Sequence, residues 1–269
     1  MKFTLLMIGL ILILIGLIVF SLLPRPEEFT RPDIRVSISV PEKTKEVVIE
    51  KNVRNVAFDL GHEPKYSIFG EYSRFASLFR DSESWISTIN GSIENLVGID
   101  ILVIISPNLT YTKDEMYILD QAIKKGMTLI LLGEKESAPI LNELSFNTGI
   151  LFNNERVYDL TNYWLFYRNP ILGEFVENNI TRNLTAELEK IVTHDACSLT
   201  VVKPANSVIY TKETARSSLG TEKVKLPVVA VAEVGKGKVL AICDTDIFTN
   251  KNIELFDNLI FARNIVNWS

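Results

Sequence analysis

The chain has 269 residues and a formal net charge of −5, with 28 Lys and Arg against 33 Asp and Glu. No face rich in Lys or Arg is visible, which argues against nucleic acid as a partner. Two cysteines and two histidines are too few for a zinc site without carboxylate help, so a structural zinc is not expected, and no metal or cofactor is assigned.

Phe3–Leu23 carries no charged side chain, and its 21 residues are enough to cross a hydrocarbon core of about 30 Å as a helix. It is followed by Pro24-Arg25 rather than a small-x-small cleavage site, so an uncleaved single-pass anchor is expected. Lys2 before the span and Arg25, Arg31 and Arg35 after it would keep the domain inside by charge count. Five Asn-x-Ser/Thr acceptors, at Asn90, Asn108, Asn179, Asn183 and Asn267, point outward, and an extracytoplasmic domain at the cell membrane, a candidate glycoprotein, is the reading taken. The divisions are an anchor over 1–23, an extended proline-bearing linker over 24–52 and an α/β domain over 53–269. Within the linker, Val36–Val40 and Val47–Glu50 have the look of short strands around the polar turn Pro41–Lys45.

The domain opens with a buried strand, Val56–Leu60, a loop through Gly61 and His62, and a helix carrying Ile68, Tyr72, Phe75 and Phe79 on one face. After Trp85–Asn90 comes Ile101–Ser106, apolar on both faces as a central parallel strand must be. Thr112–Glu115 has the spacing of a capping box, and Lys124-Lys125-Gly126 closes the helix it starts. Met127–Leu132 is a second two-sided strand, so the connection is a parallel crossover. A short helix at Ala138–Leu144 and a strand at Ile150–Val157 follow. Between Tyr158 and Asp195 the periodicity weakens around Tyr163-Trp164-Leu165-Phe166-Tyr167, read as a core plug or a flap over the sheet ahead of an aromatic binding platform. Short strands return at Ser198–Val202 and Ser207–Tyr210. Val228–Glu233 and Lys238–Cys243 form a hairpin around Gly235-Lys236-Gly237, and a last helix is expected over Ile253–Asn267. Cys197 and Cys243 can be a disulfide or two buried thiols, and sequence leaves both open.

In a parallel sheet ligands sit beyond the carboxyl ends of the strands. Asp59 and His62 after the first strand, and Asp244, Asp246 and Asn250 after the hairpin, are the candidate ligand-binding residues, able to hydrogen-bond hydroxyls or hold a hard cation, or simply to cap loops. No cysteine or serine sits in a Gly-flanked elbow, so no catalytic residue is assigned.

Asp59 with His62, Ser106-Pro107, Thr112–Glu115, Gly126, and Gly235–Asn250 leading to Asp257-Asn258 and Asn267-Trp268 together resemble the class I glutamine-amidotransferase-like domains of unknown function. That group is similar to the auxiliary domains of gliding-type ABC transporters, to the GIFT domain of an intraflagellar-transport protein and to a non-catalytic lumenal oligosaccharyltransferase subunit. The resemblance spans Val53 to Trp268. It implies a flavodoxin-like, mostly parallel doubly wound sheet that has lost the Cys-His-Glu triad and serves as a binding or scaffolding module. The expected function is therefore a non-catalytic, membrane-anchored module in a transport- or glycan-related membrane complex, binding a protein or a glycan. The alternative is a hydrolase or amidotransferase-like enzyme using His62 with Asp59 or Asp244.

Overall fold

The apolar runs of the sequence become the middle of one eight-stranded sheet in the computed structural model, which describes residues 53–269. The anchor over 3–23, the linker and its two short strands lie outside the described residues. Among the described residues no helix is long and apolar enough to cross a membrane.

Strands β1 (Asn55–Asp59), β2 (Trp85–Ile89), β3 (Ile101–Ile105) and β4 (Thr128–Leu132) are joined by helices α1 (Ser73–Asp81) and α2 (Lys113–Lys125). After α3 (Ala138–Ser145) the chain makes a long excursion. It contains β5 (Ile150–Phe152), β6 (Val157–Asp159), β7 (Ile171–Leu172), β8 (Glu174–Phe175), helix α4 (Arg182–Thr185), β9 (Ile191–Val192), β10 (Leu199–Val201), β11 (Asn206–Tyr210) and β12 (Ala215–Ser217). The hairpin β13 (Pro227–Val234) and β14 (Gly237–Ile242) and helix α5 (Asn258–Trp268) complete the domain.

The sheet order is β2-β1-β3-β4-β14-β13-β11-β8. The first five strands are parallel and the last three are added antiparallel, giving a mixed α/β domain with a large, mostly parallel central sheet. β3 and β4 are buried at every position because α/β packing covers both faces.

The helices are held by devices visible in their termini. Thr112 and Glu115 form the reciprocal capping box at the start of α2, and Gly126 at φ 132° closes it, a conformation costly for any side chain. The hairpin turn docks on that same end. A Cβ at Gly237 would lie 2.1 Å from the Ile123 carbonyl oxygen, so only glycine allows the approach. At the far end of α5, Arg54 donates to the carbonyls of Val266 and Ser269, both at 2.8 Å, placing a cation where the helix dipole is negative. Phe75 of α1 stacks on Phe248 at 4.8 Å, and Phe248 meets Phe261 of α5 at 5.6 Å, so these rings join the two helices.

Three elements differ from the sequence expectation. The first helix begins at Ser73, not near Ile68, and its first turn is satisfied by Asn250. The strand expected over Ile150–Val157 is two strands, β5 and β6. Between them Glu155 turns inward to accept the hydroxyls of Ser198 and Ser217, which breaks the alternation. The last helix starts at Asn258 and not at Ile253, because Phe256 adopts φ 48° and Asp257 turns to cap another segment.

Cys197 and Cys243 are joined as a disulfide with a sequence separation of 46, linking the excursion to the end of β14. Closing a loop of that length is worth about 4 kcal/mol by chain entropy, against a typical range of about 2–4 kcal/mol. The Cys197→Ser/Cys243→Ser variant is expected to lose that much in urea unfolding. An unchanged midpoint would mean that the excursion is held by packing alone.

Candidate functional site

All five parallel strands deliver their carboxyl ends to one rim. Asp59 ends β1, Ser106 follows β3, Gly133-Glu134 follows β4 and Asp244 lies two residues after β14. The candidate residues do not form one cluster there. They fall into two.

The first cluster is buried. Asp59 Oδ2 accepts from His62 Nδ1 at 2.8 Å and from the Tyr111 hydroxyl at 2.5 Å, while Asp59 Oδ1 accepts the Gly61 N–H at 2.9 Å. His62 Nε2 lies 3.2 Å from Glu115 Oε1, and the Tyr111 ring stacks on the imidazole at 3.7 Å. Glu115 also accepts the main-chain N–H of Ile93 and Thr112, each at 2.8 Å. Both ring nitrogens of His62 therefore face carboxylates, and a neutral imidazole, with one N–H, satisfies only one of them. All four side chains are buried, with His62 at 6% exposure. Burial pushes the Tyr111 phenol well up, reinforced by the Asp59 charge and hydrogen bond, so it stays a donor.

For Glu115, burial raises the pKa, but the N–H donors, the Thr112 hydroxyl and His62 outweigh it, and the net direction is down. A depressed carboxyl contributes stability that is present above its ordinary range and is lost as pH falls through the folded pKa. Urea midpoints measured from about pH 6 to pH 2 are expected to fall on the acid side, and Glu115→Gln to flatten that fall. A Glu115→Gln variant with the same acid limb as the parent would place the loss elsewhere.

The second cluster lies under the ends of β4 and β14. Lys65 Nζ bonds Glu134 Oε2 at 2.5 Å and sits 3.6 Å from Asp246 Oδ2, Tyr66 donates to Asp246, and Ser106 Oγ donates to Glu134 Oε1 at 3.4 Å. Burial and then the Asp246 contact push the Tyr66 phenol up to about 12. Asp244 is buried and accepts main-chain N–H groups from His194 at 2.7 Å, Asp246 at 2.8 Å and Ile247 at 3.1 Å. Its pKa is raised, by burial first and by Asp246 second, with the N–H donors opposing. Asn250 accepts the Arg74 N–H at 3.0 Å and donates to Gly70 O and Ser73 Oγ, both at 2.9 Å. Asp244 and Asn250 thus do what capping side chains do. The sequence marked both as ligand candidates because Asp and Asn serve turns and ligands alike.

His62 reaches Asp59 but not Asp244, whose oxygens are taken by the main-chain donors, so the His62–Asp244 pairing of the enzyme alternative does not form. The His62–Asp59 pair does form, but it is covered. Ser106, at φ 40° after β3, occupies a strained turn of the kind that presents nucleophiles, yet its hydroxyl faces Glu134 rather than an imidazole. His194 Nδ1 is buried without a hydrogen-bond partner, and its pKa is lowered, by burial first, with Asp246 opposing.

Tyr111 and Glu115 were not singled out by the sequence as site residues. Glu115 was legible as a cap, but its contact with an imidazole over fifty positions upstream had no local signal. The aromatic run 163–167, read as a plug or flap, is no plug: Leu165 is 69% and Phe166 68% exposed.

Comparison with solved structures defines a fold. The N-terminal domain of mmIFT52 is similar over 79% of this chain and 96% of its own, with TM-score 0.69 and 20% identity. The cytoplasmic protein STM3548 from Salmonella typhimurium is similar over 80% of this chain and 98% of its own (TM-score 0.54, 12% identity). STM1381 from Salmonella typhimurium LT2 covers 79% and 98% (TM-score 0.53, 13% identity). No family model and no curated protein matches the chain.

These findings correct the resemblance drawn from the sequence to class I glutamine-amidotransferase-like domains of the GIFT and gliding-auxiliary type. None of the three structures is a class I glutamine amidotransferase, and no family model supports that assignment. The physical reason lies in the motifs quoted: Thr112–Glu115, Gly126 and Gly235–Gly237 are caps and turns, which parallel α/β sheets of many families share.

Proposed function

We propose that the protein is a membrane-attached, non-catalytic binding module, a subunit of a larger membrane assembly, whose flavodoxin-like domain over 53–269 sits outside the cytoplasm on the anchor 3–23. The observation that carries the non-catalytic reading is the burial of His62 between two carboxylates and under Tyr111. An imidazole committed on both nitrogens and out of solvent is poorly placed to move a substrate proton. The order β2-β1-β3-β4-β14 over the parallel strands supports the flavodoxin-like description. The Cys197–Cys243 disulfide supports an oxidising compartment, and the five acceptor asparagines are all exposed, as glycosylation requires.

The test is purification of the intact chain in mild detergent after crosslinking in the native membrane. A stoichiometric protein partner that stays bound through size exclusion is expected, and recovery of a lone monomer would end this reading.

A further inference from the structure

We propose that the turn 163–167 is a second membrane contact, an aromatic knuckle that inserts into the interface of a lipid bilayer; the inference rests on the reading of residues 3–23 as an anchor. The knuckle is a stiff reversal. Tyr163 bridges Pro170, Trp164 N–H donates to Asn169 O at 2.9 Å, Asn169 N–H donates to Phe166 O at 2.8 Å, and Leu165 sits at φ 60°. A positive φ is uncommon for leucine and keeps the tip turned out instead of letting it fold back on the domain.

The base is fixed to the rim. Buried Asp159 accepts the N–H groups of Thr161 and Asn162 at 2.7 and 2.9 Å, and its own N–H donates to Tyr167 O at 2.8 Å. Asp195 N–H donates to Arg168 O at 3.0 Å beside His194, whose N–H is held by Asp244. Trp164 packs edge-on against Phe256 at 5.3 Å, and Arg168 lies 5.8 Å from the Tyr167 ring centroid. The domain commits a buried carboxylate, Asp159, and its hydrogen bonds to the display of apolar side chains, the opposite of what solubility asks.

The order of residue types selects a bilayer. Leu165 and Phe166, purely apolar, are the most exposed members of the run. Tyr163, Trp164 and Tyr167, amphipathic rings that favour the headgroup level, flank them, and Arg168 stands next at the polar base. A pocket for a sugar or small ligand is concave, whereas this is a projecting turn. Arg168 and Arg156 are both near Asp195, at 3.7 and 3.6 Å, and Arg156 also pairs with Glu136 at 3.1 Å, so two cations face two carboxylates and insertion does not need anionic lipid. One tip of this size binds weakly alone, but a chain already attached to the bilayer meets it at high effective concentration.

The test uses the full-length chain in phosphatidylcholine vesicles, with Phe166→Cys carrying an environment-sensitive fluorophore and Val97→Cys, 88% exposed, as the control. Insertion predicts a blue shift at position 166 and loss of most of its emission to doxyl groups near the top of the acyl chains, neither of which occurs at position 97. Adding Leu165→Asp should restore solvent-like emission at 166. Flotation reads the anchor separately. A chain that floats with the vesicles but is unquenched at 166 overturns insertion and leaves the anchor standing, whereas one that does not float overturns both. A blue shift without doxyl quenching assigns the knuckle to a protein contact and overturns the lipid assignment.

Discussion

Replacing Ile104 with aspartate is expected to leave the domain unfolded at every temperature. Ile104 is 1% exposed in β3 and pairs in register with Leu131 of β4, itself fully buried. All five positions of β3 are buried, so no rotamer brings the new carboxyl to water. Burying an unpaired carboxylate costs more than the roughly 5–15 kcal/mol that holds a domain of this kind together, and keeping it protonated still removes the isoleucine packing. The measurement is a thermal melt by circular dichroism; a cooperative transition near that of the parent would show that the strand is not where the sheet places it. Ile104→Val, which removes one methyl, should lose only about 0.5–1.5 kcal/mol, and the contrast separates charge from volume.

The second large effect is expected at the buried imidazole. His62→Ala leaves the Asp59 and Glu115 carboxylates facing a void, with the Tyr111 ring unsupported on one side. Taking a hydrogen-bonding partner from buried carboxylates costs about 1–3 kcal/mol or more for a charged group, and the cavity left by the ring adds to it. Urea unfolding should register a loss of that order. Asp59→Asn is expected to lose less, since it opens no cavity, although its single amide oxygen can keep only one of the Gly61 N–H and the Tyr111 hydroxyl, which bond different oxygens of Asp59. If His62→Ala is as stable as the parent, the cluster is not structural, and a functional use of the imidazole regains force.

The readable part of the fold was the part fixed by short-range rules. β3 and β4 announce themselves because two-sided burial demands an unbroken apolar run, and α2 because its two cap residues, Thr112 and Glu115, stand within one turn of each other. The hairpin β13–β14 is marked by its glycines. What sequence did not show depends on distant partners. Asn250 completes the first turn of α1 from far along the chain, and Asp257 accepts the N–H groups of Glu189 and Lys190, so neither residue's task is written beside it. The site followed the same division. Asp59 and His62 lie three residues apart and were found together, whereas Tyr111 and Glu115 arrive from another element. An aromatic run carries no label for inside or outside when its periodicity is absent, which is why 163–167 was read as a plug or a flap.

The position of β14 between β4 and β13 has a consequence for synthesis on the ribosome. β2, β1, β3 and β4 emerge first and can pair, but the outer edge of β4 must wait roughly a hundred residues for its neighbour, a loop whose closure entropy grows only slowly with length. Throughout that interval β4, apolar from Leu129 to Leu132, has a bare rank of amide and carbonyl groups, the template on which nascent chains stick to one another. A message truncated between Leu132 and Gly237 would therefore yield a product whose sheet ends on that raw border, a substrate for chaperones and proteases and not a smaller working domain.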